Sequence, residues 1–223
     1  MAFILNIETS TKNCSVSVAK DGKTIVLKEL NDGGYSHAEK LHEFIKEVIA
    51  EAGIQFSDLK AIAVSKGPGS YTGLRIGVSA AKGLCFALNI PLIAINTLES
   101  LAQSISLIEG FKIPLLDARR MEVYSAVFDK NNIIKKEVSA EIITNESFKS
   151  YLESGKVYFF GDGAEKCKEV ILHENANYFD DKFPSAKDME QLSSEKYKNN
   201  DFVDVAYFEP FYLKDFVGGI SKK

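Results

Sequence analysis

Cysteine is scarce in this sequence and never occurs in closely spaced pairs. Cys14, Cys85 and Cys167 make an odd number, and no CxxC pair occurs in the 223 residues. This pattern excludes the usual signatures of a disulfide framework and of a cysteine-based zinc site. We therefore expect three isolated, buried thiols.

Long apolar segments and secretory features are also missing. No apolar run approaches the roughly 18 residues of a membrane-spanning helix. The opening residues MAFILNIETS lack the basic region and the long apolar stretch of a signal peptide. An apolar content of 45% with alternating strand-like and helix-like stretches indicates a globular protein. We expect it to be cytoplasmic, with no membrane partner.

Positive charge is limited as well. The formal net charge is −4, and Lys and Arg are scattered apart from short groups at Lys196–Lys198 and Lys222–Lys223. A protein that holds a nucleic acid by itself usually shows a basic face, because neutralising phosphates supplies most of its affinity. We expect the isolated chain to bind RNA weakly and only at low salt.

The first half of the chain predicts the order β-β-β-α-β-α-β-α. A buried strand, FILNIETS, precedes two alternating strands that flank Asp21-Gly22, a strong hairpin signal. A helix follows over Ser36–Ala52, with Ser36 and Glu39 in capping-box positions. Next come the strand LKAIAVSKG, a helix over Gly73–Leu88, the strand IPLIAIN and a helix that Thr97 can cap.

The second half repeats this order loosely. From Lys112 a buried strand again ends in an acid, so that Asp117 corresponds to Glu8, and two alternating strands follow. A helix near Thr144–Ser154, the strand KVYFFGDG and a helix after Ala164 continue the pattern. We predict an α/β fold of two β-β-β-α-β-α-type units with mixed sheets, the second reduced, and a cleft between them.

The predicted units are residues 1–108 and 109–223. No linker rich in Pro or Gly marks the boundary, which is placed from the pattern alone. Beyond residue 175 the pattern predicts a loop and a polar helix. The apolar stretch VAYFEPFYL indicates that the tail, residues 207–223, docks back onto the first unit.

The stretch SKGPGSYTGLRIG has the outward form of a phosphate loop but matches no standard motif. Gly67 and Gly73 are one residue too far apart for a Walker A loop, no Lys follows Gly73, and Thr72 takes the last glycine position of GxGxxG. Hydroxyls of Ser70, Tyr71 and Thr72 near a helix N-terminus could attract an anion. They could equally cap the helix and bring it close to its sheet.

The helix after this loop is apolar around most of its circumference, so we expect it to be covered on more than one side. The second cover could be the preceding helix, a partner protein or both. Only Arg75, Ser79 and Lys82 form a polar edge. Beside an apolar stripe runs a stripe of mainly small residues, which comprises Gly73, Gly77, Ala80, Leu84 and Ala87.

The histidines and acids do not form a recognisable catalytic set. His37 and His42 are five residues apart, which points them in different directions on a helix, so we expect no metal site there and a solvated helix start. Asp117, beside Arg119 and Arg120, could polarise a phosphate or a Mg²⁺-bound water. A salt bridge across the cleft is the interpretation we favour for an Asp beside two Arg in a turn.

Several segments together resemble the TsaB (YeaZ) family. They are ILNIETSTKNCSVSV, HAEKLHEFI, GPGSYTGLRIGVSAAKGL, PLLDARRMEVYSAVF, GDG and EPFYL, in the family's order and approximate spacing. The resemblance covers nearly the whole chain and implies the actin/sugar-kinase/Hsp70 fold. It also implies a subunit of the bacterial tRNA-modification machinery, in which TsaC supplies threonylcarbamoyl-adenylate and TsaD transfers the group to adenosine 37 of ANN-decoding tRNAs.

The resemblance implies a non-catalytic scaffold that binds TsaD and the ATPase TsaE, with a possible homodimer of the isolated chain. ATP and metal would belong to the partner subunits, since the HxxxH of TsaD is absent here. The implied partner interface comprises His37, Leu41, Phe44, Ile45, Val48, Gly73, Gly77, Ala80 and Leu84. The implied degenerate nucleotide loops comprise Glu8, Thr9, Ser10, Gly67, Gly69, Ser70, Thr72, Asp117 and Arg119.

An enzyme of the same fold is the alternative, either a kinase-like ATPase or a glycopeptidase. A kinase needs intact phosphate loops and a catalytic acid, for which the chain offers at best Glu8 and Asp117. Two expectations follow from the scaffold interpretation. The isolated chain should not combine tight binding of ATP with its turnover, and changing Gly77 or Ala80 to Glu should abolish pairing with TsaD.

Overall fold

The computed structural model describes residues 1–34 and 36–214, and it contains two five-stranded mixed sheets. In the first sheet the strand order is β3-β2-β1-β4-β5. The strands β1 to β3 are antiparallel, and β4 and β5 run parallel to β1. The strands are β1 Phe3–Glu8, β2 Cys14–Lys20, β3 Lys23–Leu30, β4 Leu59–Gly67 and β5 Leu92–Asn96.

The hairpin between β2 and β3 turns where the sequence predicts it. Asp21 has φ 51° and Gly22 has φ 84°. Positive φ at both central residues is what a two-residue hairpin turn with the correct twist requires, and Asp-Gly tolerates it well. This turn fixes the register in which Cys14 pairs with Leu30.

The second sheet has the order β10-β9-β6-β7-β8 and the same antiparallel β-β-β start. The duplication and the α/β fold class are thus confirmed. Two predictions were wrong: the segment after Ala164 forms only a 3₁₀ turn, Glu165–Cys167, and residues 176–179 form a strand rather than a loop. The strands are β6 Phe111–Asp117, β7 Glu122–Asp129, β8 Ile134–Ile142, β9 Val157–Phe160 and β10 Ala176–Phe179.

Five α-helices accompany the sheets in the described part of the chain. Helices α1 and α2 pack on one face of the first sheet, and α5 packs on the other face. No described helix combines the length and the apolar character needed to cross a membrane. The helices are α1 His37–Glu51, α2 Tyr71–Leu88, α3 Thr97–Gln103, α4 Lys149–Ser154 and α5 Glu190–Lys198.

Two predicted helix caps were wrong. Ser36 precedes α1 but its hydroxyl donates to Asp32 Oδ2 at 2.8 Å instead of capping the helix. Asn96, one residue before Thr97, caps α3, because its Oδ1 accepts from the N–H groups of Leu98 and Glu99. The helix over the glycine stretch starts at Tyr71, two residues earlier than predicted.

After β10 the chain returns to the first sheet. A 3₁₀ turn, Ala186–Met189, and α5 cover the face opposite α1 and α2. Val203 then bridges to Leu92, and the Phe211 N–H donates to Lys66 O at 2.7 Å. The predicted unit boundary at 108/109 stays a prediction, and residues 215–223 of the predicted docking tail lie outside the described residues.

Side chains of β2 and of Asn13, which precedes it, hold this returning segment in place. Asn13 Nδ2 and Ser17 Oγ donate to the carbonyls of Pro184 and Ala186, at 3.0 Å each, and the Ala186 N–H donates to Ser15 Oγ. Asp188 lies next to these bonds, and burial raises its pKa to about 7.

Asp188 makes stability depend on pH in a defined direction. Its pKa is about 7 in the folded chain and 3.8 in the unfolded reference. The stability that comes from burying the neutral carboxyl is therefore fully present below about pH 4 and is lost as the pH rises through 7. We expect Asp188→Asn to be more stable than wild type at pH 8 by about 1–2 kcal/mol, allowing for partial exposure. The gap should shrink towards zero at pH 4.5, as measured by urea unfolding of both proteins. An equal difference at both pH values would contradict the raised pKa.

Candidate functional site

Two concave regions stand out on the described part of the chain. The larger, of about 1230 Å³, is the cleft between the two sheets. Its walls come from the turn after β1, the glycine loop before α2, the β6–β7 turn and the segment after β9. The smaller, of about 790 Å³, is a groove between α1 and α2.

The glycine loop uses its polar groups to dock on the turn after β1. The Ser70 N–H donates to Ser10 O at 2.6 Å, and Ser70 Oγ accepts from the Gly73 N–H at 3.3 Å. A Cβ at Gly69 would lie only 2.5 Å from Ser10 O, so glycine allows the two backbones to touch. These contacts support the structural interpretation of the loop, because donors needed for a phosphate are already occupied.

Glu8 sits at the end of β1, buried behind this loop. Its side chain is 0% exposed, and its Oε1 accepts from the Ser10 N–H at 2.6 Å. Burial raises the pKa of this carboxyl, although the hydrogen bond from the Ser10 N–H acts in the opposite direction. Because burial disfavours the charged form and Oε1 already accepts a hydrogen bond, this carboxyl is poorly placed to hold Mg²⁺, which binds negatively charged oxygens.

The state of Glu8 can be tested by substitution. We expect Glu8→Gln to keep nearly wild-type stability, because an amide has the same shape and carries no charge. Glu8→Ala should lose about 2–3 kcal/mol, since it leaves a cavity and an unpaired Ser10 N–H. Urea unfolding at pH 7 compares the two variants. If Gln costs as much as Ala, the buried carboxyl must be ionised.

On the other wall of the cleft, Asp117 forms a salt bridge as predicted, but with a residue on its own side of the cleft. Its carboxylate pairs with Lys166 Nζ, and its Oδ1 accepts from the Arg119 N–H at 3.1 Å. Lys166 belongs to the second predicted unit, as Asp117 does, so the predicted placement of this bridge across the cleft was wrong for the described residues. Arg119 and Arg120 both have positive φ, 70° and 49°, in the tight turn between β6 and β7.

The groove between α1 and α2 is mostly apolar and open to solvent. Helix α1 contributes Ala38 and His42 near its start. Phe86, 84% exposed, lies on α2 one turn beyond Gly83 and extends the same accessible face. The α2 residues that line the groove are Tyr71, Thr72, Arg75, Ile76, Ser79, Ala80, Gly83 and Leu84.

The nine predicted interface residues divide into three groups. Ala80 and Leu84 line the groove, whereas Phe44 is half-buried against the core. The remaining six are buried within the chain, and a partner could not contact them in this conformation. The buried ones are His37, Leu41, Ile45, Val48, Gly73 and Gly77.

The small-residue stripe has an internal partner. A Cβ at Gly73 would lie 2.1 Å from Thr9 O, and one at Gly77 would lie 2.2 Å from Thr9 Oγ1. Thr9 also donates from its hydroxyl to Gly73 O at 2.8 Å. The stripe therefore lets α2 approach the end of β1, and Gly77→Glu would report on folding rather than on pairing.

His37 is not solvated as predicted, although His42 is exposed. His37 is 1% exposed, and its Nε2 lies 2.7 Å from Thr11 O. No group of three or more His, Cys, Asp or Glu side chains in residues 1–34 and 36–214 is placed to hold a metal ion.

The sequence reasoning missed Ala38 and Gly83, which line the groove, and Phe86, which is exposed on α2 outside that lining. The available signal was the polar edge of α2, since Arg75 and Ser79 lie on the same face at helical spacing. Arg75 and Ser79 lie on the solvent side of α2, whereas Gly73 and Gly77 lie on the side that packs against Thr9.

The sequence comparisons agree with each other. A profile of the family described as TsaD, tRNA N6-adenosine threonylcarbamoyltransferase, matches residues 33–216. The chain is 29% identical over 220 residues to the tRNA threonylcarbamoyladenosine biosynthesis protein TsaB of Escherichia coli (strain K12), which covers 95% of this chain and 94% of the relative. It is 31% identical over 174 residues to TsaB of Bacillus subtilis (strain 168), with coverages of 75% and 74%.

Solved structures show the same fold. A Pseudomonas aeruginosa protein described as uncharacterized, with similarity to peptidase YEAZ, superimposes with a TM-score of 0.82 and 25% identity. The match covers 96% of this chain and 100% of that one. The activator of 2-hydroxyisocaproyl-CoA dehydratase from Clostridium difficile, with bound ADPNP, has a TM-score of 0.51 at 11% identity, covering 90% and 96% of the two chains. That second likeness shows the fold alone.

Proposed function

This chain belongs to the TsaB (YeaZ) family, and from that premise we propose that it is a non-catalytic subunit of the tRNA threonylcarbamoyladenosine machinery. In this proposal it binds the catalytic paralogue TsaD and, with the ATPase TsaE, supports transfer of threonylcarbamoyl to adenosine 37 of ANN-decoding tRNAs. ATP and metal are bound by the partners, and tRNA is held mainly by the complex.

The observation that carries the proposal is the apolar groove between α1 and α2. An exposed Phe86 and the small side chains of Ala38, Ala80 and Gly83 offer a surface on which another helix can pack closely. Exposed apolar surface of this kind is typical of a protein interface, and Arg75 at its edge is a residue type enriched in such interfaces. The groove lies between α1 and α2, whose inner faces pack into the core of the first sheet.

The cleft gives weaker support to the alternative, a kinase-like ATPase. It is large enough for a nucleotide, but the Ser70 N–H of the glycine loop already donates to Ser10 O, and Glu8 is buried. A peptidase would need a nucleophile or a metal centre. The three cysteines are buried, and burial raises the pKa of Cys14 and Cys167 to about 11 and that of Cys85 to about 12, which disfavours the reactive thiolate.

Mixing the chain with TsaD and TsaE from the same organism tests the proposal. We expect size-exclusion chromatography with light scattering to show a complex of this chain with TsaD, and TsaE to join it in the presence of ATP. The isolated chain should release no phosphate from ATP and Mg²⁺. The absence of a complex at micromolar concentrations, or steady ATP turnover by the isolated chain, would overturn the proposal.

A further inference from the structure

The segment over residues 208–214, which we name the cleft strap, is anchored on the first sheet and on α2. Lys82 Nζ, on α2, donates to Phe208 O at 2.8 Å and to Ala206 O at 3.1 Å. Further along, the Phe211 N–H donates to Lys66 O at the end of β4. A Cβ at Gly67 would lie only 2.6 Å from Phe211 O, so the strap runs directly against the β4 backbone.

The far end of the cleft strap reaches the second sheet. Lys214 Nζ forms an ion pair with Glu122, the first residue of β7. The last four residues of the strap line the cleft together with the glycine loop and the β6–β7 turn. The strap therefore crosses the cleft and joins its two walls.

Tyr71 connects the cleft strap to the groove. Its ring lies 4.9 Å, centroid to centroid, from that of Tyr212 in the strap. On the groove side, Arg75 Nη1 donates to Tyr71 Oη at 2.9 Å, and the Arg75 guanidinium lies 5.3 Å from the centre of the same ring. Tyr71 and Thr72 line both the cleft and the groove. A movement of Tyr212 in the strap therefore changes the contacts of Tyr71, which is a groove residue.

The contacts that hold the far end are weak enough to open. The side chains of Lys214 and Glu122 are 40% and 23% exposed, and an ion pair with that exposure contributes only a fraction of a kcal/mol to about 1 kcal/mol and weakens with salt. The ring contact of Tyr212 with Tyr71 adds a contribution of similar size. Closed and open arrangements of the cleft can therefore differ little in free energy.

We propose that the cleft strap is a latch that couples closure of the cleft to the shape of the α1–α2 groove. With Lys214 on Glu122 and Tyr212 on Tyr71, the cleft is closed and Arg75 is held in the arrangement that a partner binds. Release of the strap opens the cleft and lets Tyr71 and Arg75 move, which lowers the affinity of the groove. The effect on affinity rests on the proposed function, whereas the effect on the cleft is a property of the isolated chain.

A charge reversal with rescue tests the latch in the isolated chain. Spin labels on cysteines introduced at the exposed cleft residues Asn31 and Glu165 report the width of the cleft by pulsed electron resonance, because the three native cysteines are buried. We expect Lys214→Glu to shift the distance distribution to larger values. The double variant Lys214→Glu with Glu122→Lys should restore it. An unchanged distribution in Lys214→Glu would overturn the latch.

The same variants test the coupling to the groove. We expect Lys214→Glu to weaken TsaD binding about tenfold in calorimetry, a typical coupling between linked sites, and the double variant to recover the wild-type affinity. Tyr212→Ala should weaken binding similarly. A wider cleft with unchanged TsaD affinity would overturn the coupling. If wild type itself binds no TsaD, the proposed function fails, and the label distances still decide whether the strap latches the cleft.

Discussion

Ala80→Glu is expected to abolish binding of TsaD while the chain stays folded. Ala80 lines the groove between α1 and α2, where a partner helix would bury the new carboxylate against mostly apolar surface, and the Arg75 side chain of the groove is already bonded to Tyr71. Burying an unpaired charge costs several kcal/mol, so we expect at least a hundredfold loss of affinity in calorimetry. Ala80 is half-buried with an open side, which leaves the glutamate room to reach solvent in the isolated chain.

Ala50→Glu is the matched control for this prediction. Ala50 is exposed near the end of α1 and does not line the groove, so the same change of side chain should leave TsaD affinity unaltered. Circular dichroism and a melting curve establish that both variants are folded. A folded Ala80→Glu protein that binds TsaD as tightly as Ala50→Glu does would place the interface elsewhere.

Gly73→Ala is expected to destabilise the chain by at least about 4 kcal/mol, which is a large fraction of the stability of an ordinary domain. The added Cβ would lie 2.1 Å from the backbone oxygen of Thr9, far inside contact distance, and 3.4 Å from His37 Cδ2. Relief would require α2 to move away from the end of β1, which would also break the bond from Thr9 Oγ1 to Gly73 O. Urea unfolding, or expression without soluble protein, is the measurement.

Gly83→Ala provides the comparison within the same helix. Nothing lies within 4 Å of a Cβ at Gly83, so alanine should stabilise the helix by about 0.5–1 kcal/mol. If Gly73→Ala and Gly83→Ala unfold at the same urea concentration, the close packing of α2 on β1 is incorrect.

The duplicated fold could be predicted because its signals are local. Period-two alternation on both sides of Asp21-Gly22 defines a hairpin without reference to the rest of the chain, and the same pattern recurs from Lys112. The cap at Asn96 and the strand over residues 176–179 were missed for different reasons. Asn and Thr are both good helix caps, and a four-residue edge strand carries too few residues to show a period.

The burial of polar residues could not be predicted, because it depends on contacts between distant segments. Lys112 begins a predicted strand, yet it is 1% exposed and donates to Ile105 O and Asn132 Oδ1, both at 2.6 Å. His37 is covered in the same way by the turn after β1. The burial of three predicted interface residues was missed for a related reason: periodicity shows that Leu41, Ile45 and Val48 share a face, but not that this face meets the chain's own sheet.

Reconstituted tRNA modification separates a scaffold from an enzyme most directly. The initial rate of threonylcarbamoyladenosine formation is measured with TsaD, TsaE, ATP, threonylcarbamoyl-adenylate and unmodified tRNA, adding wild type, Ala80→Glu, or a cleft variant that combines Glu8→Gln, Asp117→Asn and Arg119→Ala. We predict that the cleft variant keeps the wild-type rate within about twofold, because under the proposed function the reacting atoms are held by TsaD and not by the cleft of this chain. Ala80→Glu should give no more product than a reaction without this chain. A cleft variant that stops the reaction while Ala80→Glu sustains it would contradict the account.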